Sequence, residues 1–183
     1  FDAASEDGDG AAARVAAAML APLAESAVTE PNVVAMGLYA LERWPQLLAT
    51  LPQPVYFQRN GTLIVWHRQD APDAARLQAL LERNQRQVAG LPALQVLDSA
   101  GVAHAEPALA QRFAHGLLLP GEGQLDNRQL FRALAEQLHS AGVHMHWHSP
   151  RQPSDFTPGE PGQPDWVLDC RGLGAQPQWQ TLR

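Results

Sequence analysis

A few small and polar residues carry the chemistry that this sequence could perform. The turn Arg171-Gly172-Leu173-Gly174 directly follows residues 166–170, a run typical of a buried strand. Ligands of open α/β sheets collect at the carboxyl ends of the strands, so this turn is the best candidate site in the last third of the chain. As a phosphate-binding loop it is a weak signal on its own, because the full G-x-G-x-x-G pattern is absent.

Two features near the start of the chain could serve a nucleotide. Asp2 follows Phe1 at what reads as the end of a strand, where an acidic residue can accept hydrogen bonds from a pair of ribose hydroxyls. An ordinary exposed aspartate fits that position equally well. Residues 11–22 are rich in alanine, and small side chains let a flat ligand approach the backbone closely. Tight packing of an alanine-rich helix is the alternative interpretation.

Three histidines and one cysteine also have reactive side chains, but their positions predict neither a metal site nor a nucleophile. His144, His146 and His148 share one face of a predicted strand, but the spacing brings no fourth ligand, so we expect a solvated strand face and no metal site. Cys170 precedes Arg171 with no histidine fixed beside it, so we expect an inert thiol. The residues alone therefore assign no catalytic group.

Composition narrows the class of protein. The 183 residues are 45% hydrophobic, enough for one sizeable domain or two small ones, and the net charge of −6 argues against a nucleic-acid partner. The longest apolar run, residues 15–24, is too short to span a bilayer, and a single cysteine fits a reducing compartment. We therefore predict a cytoplasmic location. The chain opens on what reads as the end of a strand, which suggests a fragment.

The elements that would position these residues centre on residues 115–147. A short apolar run and a Pro/Gly turn precede a helix that Asp126 should cap, with Gln129 completing a capping box and Gly142 ending the helix. Residues 143–147 then alternate apolar and polar side chains, as in a half-buried strand. The stretch predicts strand, helix and strand, the unit from which nucleotide-binding α/β folds are built.

Other patterns predict the remaining elements. A helix should begin near Pro31 and kink or restart at Pro45, and a second should run from about residue 70 to Gly90. Asn60-Gly61 between two β-rich runs predicts an antiparallel hairpin. Residues 94–97 should form a short strand.

Several segments, in order, resemble FAD-dependent amino acid oxidases of the D-amino-acid oxidase type, and most of all the glycine oxidases of thiamine biosynthesis. They are Phe1-Asp2, the run Ala16-Ala17-Ala18-Met19-Leu20-Ala21-Pro22, Glu106-Pro107, the stretch LLLPGEGQLDNRQLFRALAEQL, and Asp169-Cys170-Arg171-Gly172-Leu173-Gly174-Ala175. Each segment is weak alone, and their order makes the match fairly specific.

The resemblance implies an α/β fold with α+β character and FAD as cofactor. Residues 1–30 and 115–183 would form part of a Rossmann-like FAD-binding domain, and residues 31–114 part of an antiparallel-sheet substrate domain. Asp2 would hold the adenosine ribose, and Val143 would lie near the adenine. Gln124 occupies a position where the family often has His or Gln. The residues along the isoalloxazine would be Ala16, Ala17, Ala18 and Met19, and those near the phosphates and ribityl chain Arg171, Gly172, Leu173 and Gly174.

The implied activity is hydride transfer to the flavin from glycine, a small D-amino acid or a secondary amine. The resulting imine would hydrolyse, and oxygen or another acceptor would take the electrons. The family's Gly-rich pyrophosphate loop is not in this sequence, and neither Arg171 nor Arg183 matches its carboxylate-binding arginine. We therefore expect the isolated chain to be inactive. The alternatives are a non-catalytic binding module or an inactive fragment of the same fold, and the oligomeric state, including a homo-oligomer, stays open.

Overall fold

The computed structural model of the protein describes residues 1–175. The chain divides into two compact units, one formed by Phe1–Asp9 with the chain from His144 onward, and the other by Gly10–Val143. The division at residues 30 and 114 stays a prediction. Within the described residues, no helix combines the length and apolar composition needed to cross a membrane.

The unit Gly10–Val143 holds the helices and strands of the described chain. Its helices are α1 (Ala12–Val15), α2 (Pro22–Glu25), α3 (Pro31–Leu48), α4 (Ala71–Gln85), α5 (Ser99–Ala105) and α6 (Asn127–Ser140). Its strands are β1 (Met19–Leu20), β2 (Phe57–Gln58), β3 (Thr62–Val65), β4 (Gln95–Asp98), β5 (His115–Leu119) and β6 (Gly123–Leu125). Short 3₁₀ turns lie at Arg68–Asp70 and Pro107–Leu109, and in the other unit at Pro153–Asp155 and Gly172–Ala175.

The strands form two antiparallel sheets, with orders β1-β6-β2 and β3-β5-β4. The predicted hairpin at Asn60-Gly61 is wrong, because β2 pairs with β6 while β3 pairs with β5. The chain crosses between the two sheets at residues 59–61 and crosses back at residues 120–122. Residues 59–61 lie opposite residues 120–123, so one side carries one extra residue, as in a β-bulge.

Glycine is required at this crossing. Gly61 has φ +90°, a left-handed conformation that glycine adopts without a steric penalty, and its amide donates to the carbonyl of Glu122 at 2.9 Å. A Cβ on Gly123 would lie 2.5 Å from the carbonyl oxygen of Gln58. The Asn-Gly pattern marked a real turn in the backbone, but the partners of the flanking strands are remote in sequence.

The hydrophobic core lies between β5 and the helices α2, α3 and α4. Its buried members are Leu23, Val34, Leu81, Val88, Leu91, Leu117 and Leu119. Leu117 and Leu119 are two residues apart on β5, so they lie on the same face of the strand. Helix α3 runs through Pro45 as one helix, so the predicted restart did not occur. Pro45 lies in the last turn, where few hydrogen bonds of the helix remain to be lost.

Helix α6 has the predicted ends but not the predicted capping box. Asp126 Oδ1 accepts from the amides of Arg128 and Gln129, both at 2.9 Å. The Gln129 side chain instead accepts from the amide of Tyr56 at 2.7 Å. At the other end Gly142 has φ +76°, and its amide and that of Val143 donate to the carbonyls of His139 and Leu138, a Schellman motif.

Two predicted strands of the last third are not regular strands. Residues 143–147 are irregular, although Asp2 N donates to His146 O at 2.9 Å and Ser149 N to Asp2 O at 2.7 Å. His148 has φ +51°, which interrupts an extended pairing here. Residues 166–170 are also irregular, and Trp166 and Leu168 are 84% and 83% exposed. The apolar pattern predicted strands, but among the described residues neither segment joins one of the two sheets.

Candidate active site

The clearest candidate site lies along residues 16–19, which we call the 16–19 segment. Ala16 and Ala17 are exposed, and Met19 is 47% exposed in β1. Ala18 has φ +55°, a left-handed conformation that residues with a Cβ rarely adopt. Strand β6 holds the segment from one side, because Met19 pairs with Gln124 and the amide of Leu125 donates to Ala18 O at 3.2 Å. The segment therefore presents a strip of small side chains in a fixed, irregular backbone.

An open pocket of about 310 Å³ adjoins the 16–19 segment. Its lining residues are Arg14, Ala16, Tyr56, Gln124, Leu125, Asp126, Asn127 and Arg128. Arg14 and Arg128 line the pocket together with Asp126, whose carboxylate accepts from the amides of Arg128 and Gln129. Two basic residues against one acidic residue give the wall a net positive charge, which suits a ligand with negative charge. Ala16 and Gln124 were predicted from the sequence, whereas the arginines, Tyr56 and Asn127 were not.

The start of α6 explains how remote residues reach this pocket. The side-chain oxygen Oε1 of Gln129 accepts from the amide of Tyr56, and the amide of Asp126 donates to the carbonyl of Tyr56 at 3.0 Å. The Asn127 side chain donates to the carbonyls of Ala13 and Ala16, the latter at 2.8 Å. One signal was present in the sequence, since polar residues after an N-cap often bind backbone groups, but it did not identify their partners.

Asp2 lies in the other compact unit, outside any helix or strand. Its side chain is exposed, and one carboxylate oxygen accepts from the amide of Ala4 at 2.7 Å. The ring of Phe1 stacks on His146 with centroids 4.5 Å apart, so this histidine packs against an aromatic side chain rather than standing free in solvent. Among residues 1–175, no three or more His, Cys, Asp or Glu side chains are grouped so as to hold a metal ion.

The late glycine-rich turn is shaped by an internal ion pair. Arg171 donates from Nε and Nη2 to the two oxygens of Asp169, at 2.9 and 2.8 Å, and from Nη1 to Gln152. These bonds from Arg171 lower the pKa of Asp169 to about 2. Gly172 has φ +57° and open space around its Cβ position, and Leu173 is 83% exposed. The backbone of the turn, rather than the Arg171 guanidinium, is the part left open to a ligand.

Val143 and Cys170 are both exposed to solvent. Val143 follows the Schellman glycine of α6 and is 43% exposed. Cys170 is exposed, not buried as a strand residue would be. Nothing in the described chain brings a histidine to it as a base.

A buried carboxylate that the sequence did not predict lies near the sheet crossing. Glu122 is 1% exposed, its Oε1 accepts from the amide of Ala24 at 2.7 Å, and its Oε2 has no hydrogen-bond partner. Burial raises the pKa of Glu122; the nearby Thr62 hydroxyl and the amides of Ala24 and Leu23 oppose that rise in part. A Pro/Gly turn predicts exposure for such a residue, so no local signal distinguished it.

Comparison with known proteins identifies the family to which this chain belongs. The sequence model of the family described as DAO, FAD dependent oxidoreductase, matches residues 1–183. A Rhizobium etli protein named for thiamine biosynthesis, the oxidoreductase ThiO, is 31% identical over 175 residues, which are 92% of this chain and 46% of the relative. The chain thus spans about half the length of that relative.

Solved structures agree on the fold. The glycine oxidase of Geobacillus kaustophilus aligns with a TM-score of 0.62 and 26% identity, over 76% of this chain and 37% of its own. The iminodiacetate oxidase of Chelativorans sp. BNC1 aligns with a TM-score of 0.58 and 16% identity, over 74% of this chain and 37% of its own, which shows the fold alone. The predicted fold class, with part of an FAD-binding domain, is confirmed, and FAD is the cofactor of the family. The chain therefore belongs to the FAD-dependent oxidoreductases of the DAO family.

Proposed function

We propose that the full-length protein oxidises glycine, or a small D-amino acid or secondary amine, to the corresponding imine. The observation that carries the proposal is the 16–19 segment, held by β6 along the wall of an open pocket with two arginines. When bound, FAD supplies the acceptor for the hydride that leaves the amine-bearing carbon, and oxygen or another acceptor reoxidises it. The name of the Geobacillus kaustophilus relative, glycine oxidase, supports glycine as the substrate, and the name of the Rhizobium etli relative supports an oxidoreductase of thiamine biosynthesis.

The described residues fit a flavin at the 16–19 segment. Exposed alanines let a flat ring approach the backbone, and the side chains of Gln124 and Met19 lie on the same face of the sheet because the two residues pair across it. In this proposal Ala16, Ala17 and Ala18 contact the isoalloxazine together with Met19. Arg14 and Arg128 give the adjoining pocket a positive character that attracts an anionic ligand group.

The remaining contacts are proposed from the resemblance and from exposure. Asp2 would bind the adenosine ribose through its exposed carboxylate, and Val143 would lie near the adenine. The turn formed by Arg171, Gly172, Leu173 and Gly174 would offer backbone near the phosphates and ribityl chain, with the arginine retained by Asp169. A cytoplasmic location and the choice of electron acceptor belong to the same proposal.

The first test is the visible absorption spectrum of the purified full-length protein, with released FAD measured after denaturation. Hydrogen peroxide production is then followed with glycine, with small D-amino acids and with a panel of simple alcohols. We expect bound FAD and turnover with an amine only. A protein that binds FAD but oxidises none of the amines contradicts the substrate class. A colourless protein that takes up no added FAD favours the alternative, a non-catalytic module of the same fold.

A site variant tests the placement of the flavin. Ala17→Phe adds a ring at the exposed strip, whereas Ala12→Phe adds the same ring at an exposed position of α1. We expect only the first variant to lose FAD. Equal FAD binding by the two variants contradicts a flavin at the 16–19 segment.

A further inference from the structure

The contact between β6 and the 16–19 segment continues beyond the end of the strand. Met19 pairs with Gln124, and the amide of the next residue, Leu125, donates to Ala18 O at 3.2 Å. After Asp126 the chain turns into α6, so the backbone of β6 can no longer reach the segment. A regular antiparallel ladder would end there, with Ala16 unsupported.

The side chain of Asn127 takes over at that point. Its Nδ2 donates to the carbonyl of Ala16 at 2.8 Å and also to the carbonyl of Ala13. A carboxamide carries two N–H donors, so one asparagine can make both bonds. Gln124, Leu125 and Asn127 therefore contact Met19, Ala18 and Ala16 respectively, as in an antiparallel pairing. The Asn127 side chain thus takes the place of the next backbone hydrogen bond between the two segments.

The segment needs such support because its backbone is not regular. Ala18 holds a left-handed conformation that is unfavourable for a residue with a Cβ, so surrounding contacts must maintain it. The neighbouring side-chain oxygens are engaged elsewhere, because Asp126 caps α6 and Gln129 Oε1 accepts from the amide of Tyr56. Among the described residues, Asn127 is the side chain whose hydrogen bonds reach the carbonyls of Ala13 and Ala16.

We propose that Asn127 is a positioning residue that holds the carbonyls of Ala13 and Ala16 and thereby fixes the 16–19 segment for the flavin. This inference rests on the proposed function only in placing the flavin against that segment. Asn127 acts through the backbone and has no role in the chemical step. Replacing Asn127 should therefore change the affinity for FAD and the order of the 16–19 segment, and both can be measured without turnover.

The test uses two variants of the full-length flavoprotein and one matched control. Asn127→Asp keeps the shape of the side chain but removes both donors and places negative oxygens against two carbonyls. The new charge lies in the first turn of α6, where it favours the helix, so this variant should fold. Asn127→Ala removes the contacts without adding charge. Gln137→Ala changes an exposed polar residue of the same helix and serves as the control.

Two readouts are needed, the FAD dissociation constant of the apoprotein and amide hydrogen exchange along residues 13–19 and along α6. We expect the dissociation constant to rise about tenfold in Asn127→Ala, and further in Asn127→Asp, with the control within about twofold of the wild type. Exchange should increase in residues 13–19 but not in α6.

The possible outcomes separate this inference from the proposed activity. Unchanged exchange in residues 13–19 overturns it, because Asn127 then does not hold the segment. Faster exchange there with an unchanged dissociation constant also overturns it, because the segment then does not face the flavin. A wild-type protein that binds FAD and shows both effects, yet oxidises no amine, refutes the proposed substrates and supports the positioning role. A wild-type protein that binds no FAD overturns both.

Discussion

Replacing Glu122 tests whether a buried carboxyl stabilises the sheet crossing as a hydrogen-bond acceptor or through its charge. Glu122→Gln keeps an oxygen for the amide of Ala24, whereas Glu122→Ala removes it and leaves that amide without its partner. A buried donor without an acceptor costs about 1–3 kcal/mol, and the alanine variant loses packing as well. We expect the free energy of unfolding to fall by at least that amount in Glu122→Ala, and by less than about 1 kcal/mol in Glu122→Gln at neutral pH.

The pH dependence has a definite sign. The folded protein holds the pKa of Glu122 above its ordinary value of 4.5 because burial disfavours the charged form. The stability associated with this group is therefore fully present below the unfolded pKa and is lost as the pH rises through the folded pKa. Glu25 is the charged neighbour that adds to the shift, and Arg59 lies nearby, donating to Gly121 O while paired with Glu42. Glutamine cannot ionise, so Glu122→Gln lacks this loss.

The assay is urea unfolding of the flavin-free full-length protein at several pH values from about 4.5 to 9. The informative quantity is the difference in unfolding free energy between wild type and Glu122→Gln, because other titrating groups cancel in it. The difference should shift in favour of the glutamine variant as the pH rises. A difference independent of pH, or a shift in favour of the wild type, refutes the reasoning. So does a Glu122→Ala variant as stable as Glu122→Gln.

Three further substitutions test other parts of the structure. Ala18→Gly should raise the free energy of unfolding by up to about 1 kcal/mol, as measured by urea unfolding. The left-handed conformation costs an alanine about 1–2 kcal/mol, whereas the entropy cost of a glycine is roughly 0.5–1 kcal/mol. A clear loss of stability contradicts this. Gly123→Ala should destabilise by about 1–3 kcal/mol, because its Cβ would lie 2.5 Å from the Gln58 carbonyl oxygen; an unchanged midpoint argues against that packing. Asp169→Asn should remove a stabilisation that the wild type has above pH 3.8 and loses towards pH 2, as acid unfolding of the pair would show. If both proteins respond alike to acid, the pair with Arg171 does not stabilise the fold.

Local signals predicted both ends of α6, whereas α4 ends at Gln85 and not at the predicted Gly90. The cap at Asp126 and the left-handed Gly142 follow from side-chain and backbone preferences that act within one turn of a helix. The helix beginning at Pro31 was predicted from its first-turn proline, and the short strand predicted at residues 94–97 lies at Gln95–Asp98. The family resemblance, which depends on the order of several short segments, was confirmed over the whole chain.

Pairing between remote segments could not be predicted in the same way. Asn60-Gly61 is a good turn signal, but it does not say whether the strands on either side pair with each other or with a third segment. Here both strands pair with the β5–β6 stretch about sixty residues later, and the register changes by one residue at the crossing. The burial of Glu122 follows from that crossing, so it too was invisible to a local pattern.

The candidate site also depends both on local sequence features and on contacts with remote residues. The 16–19 segment stood out because small residues are unusual in such density, yet its shape depends on Gln124, Leu125 and Asn127, more than a hundred residues away. The helix start at Asn127 was predicted, whereas the short strand β6 that holds Gln124 and Leu125 was not. A capped helix directly after a short strand leaves polar side chains of its first turn pointing at whatever flanks the strand. The sequence therefore predicted the helix start that carries Asn127, and only the fold shows that this side chain binds the carbonyls of Ala13 and Ala16.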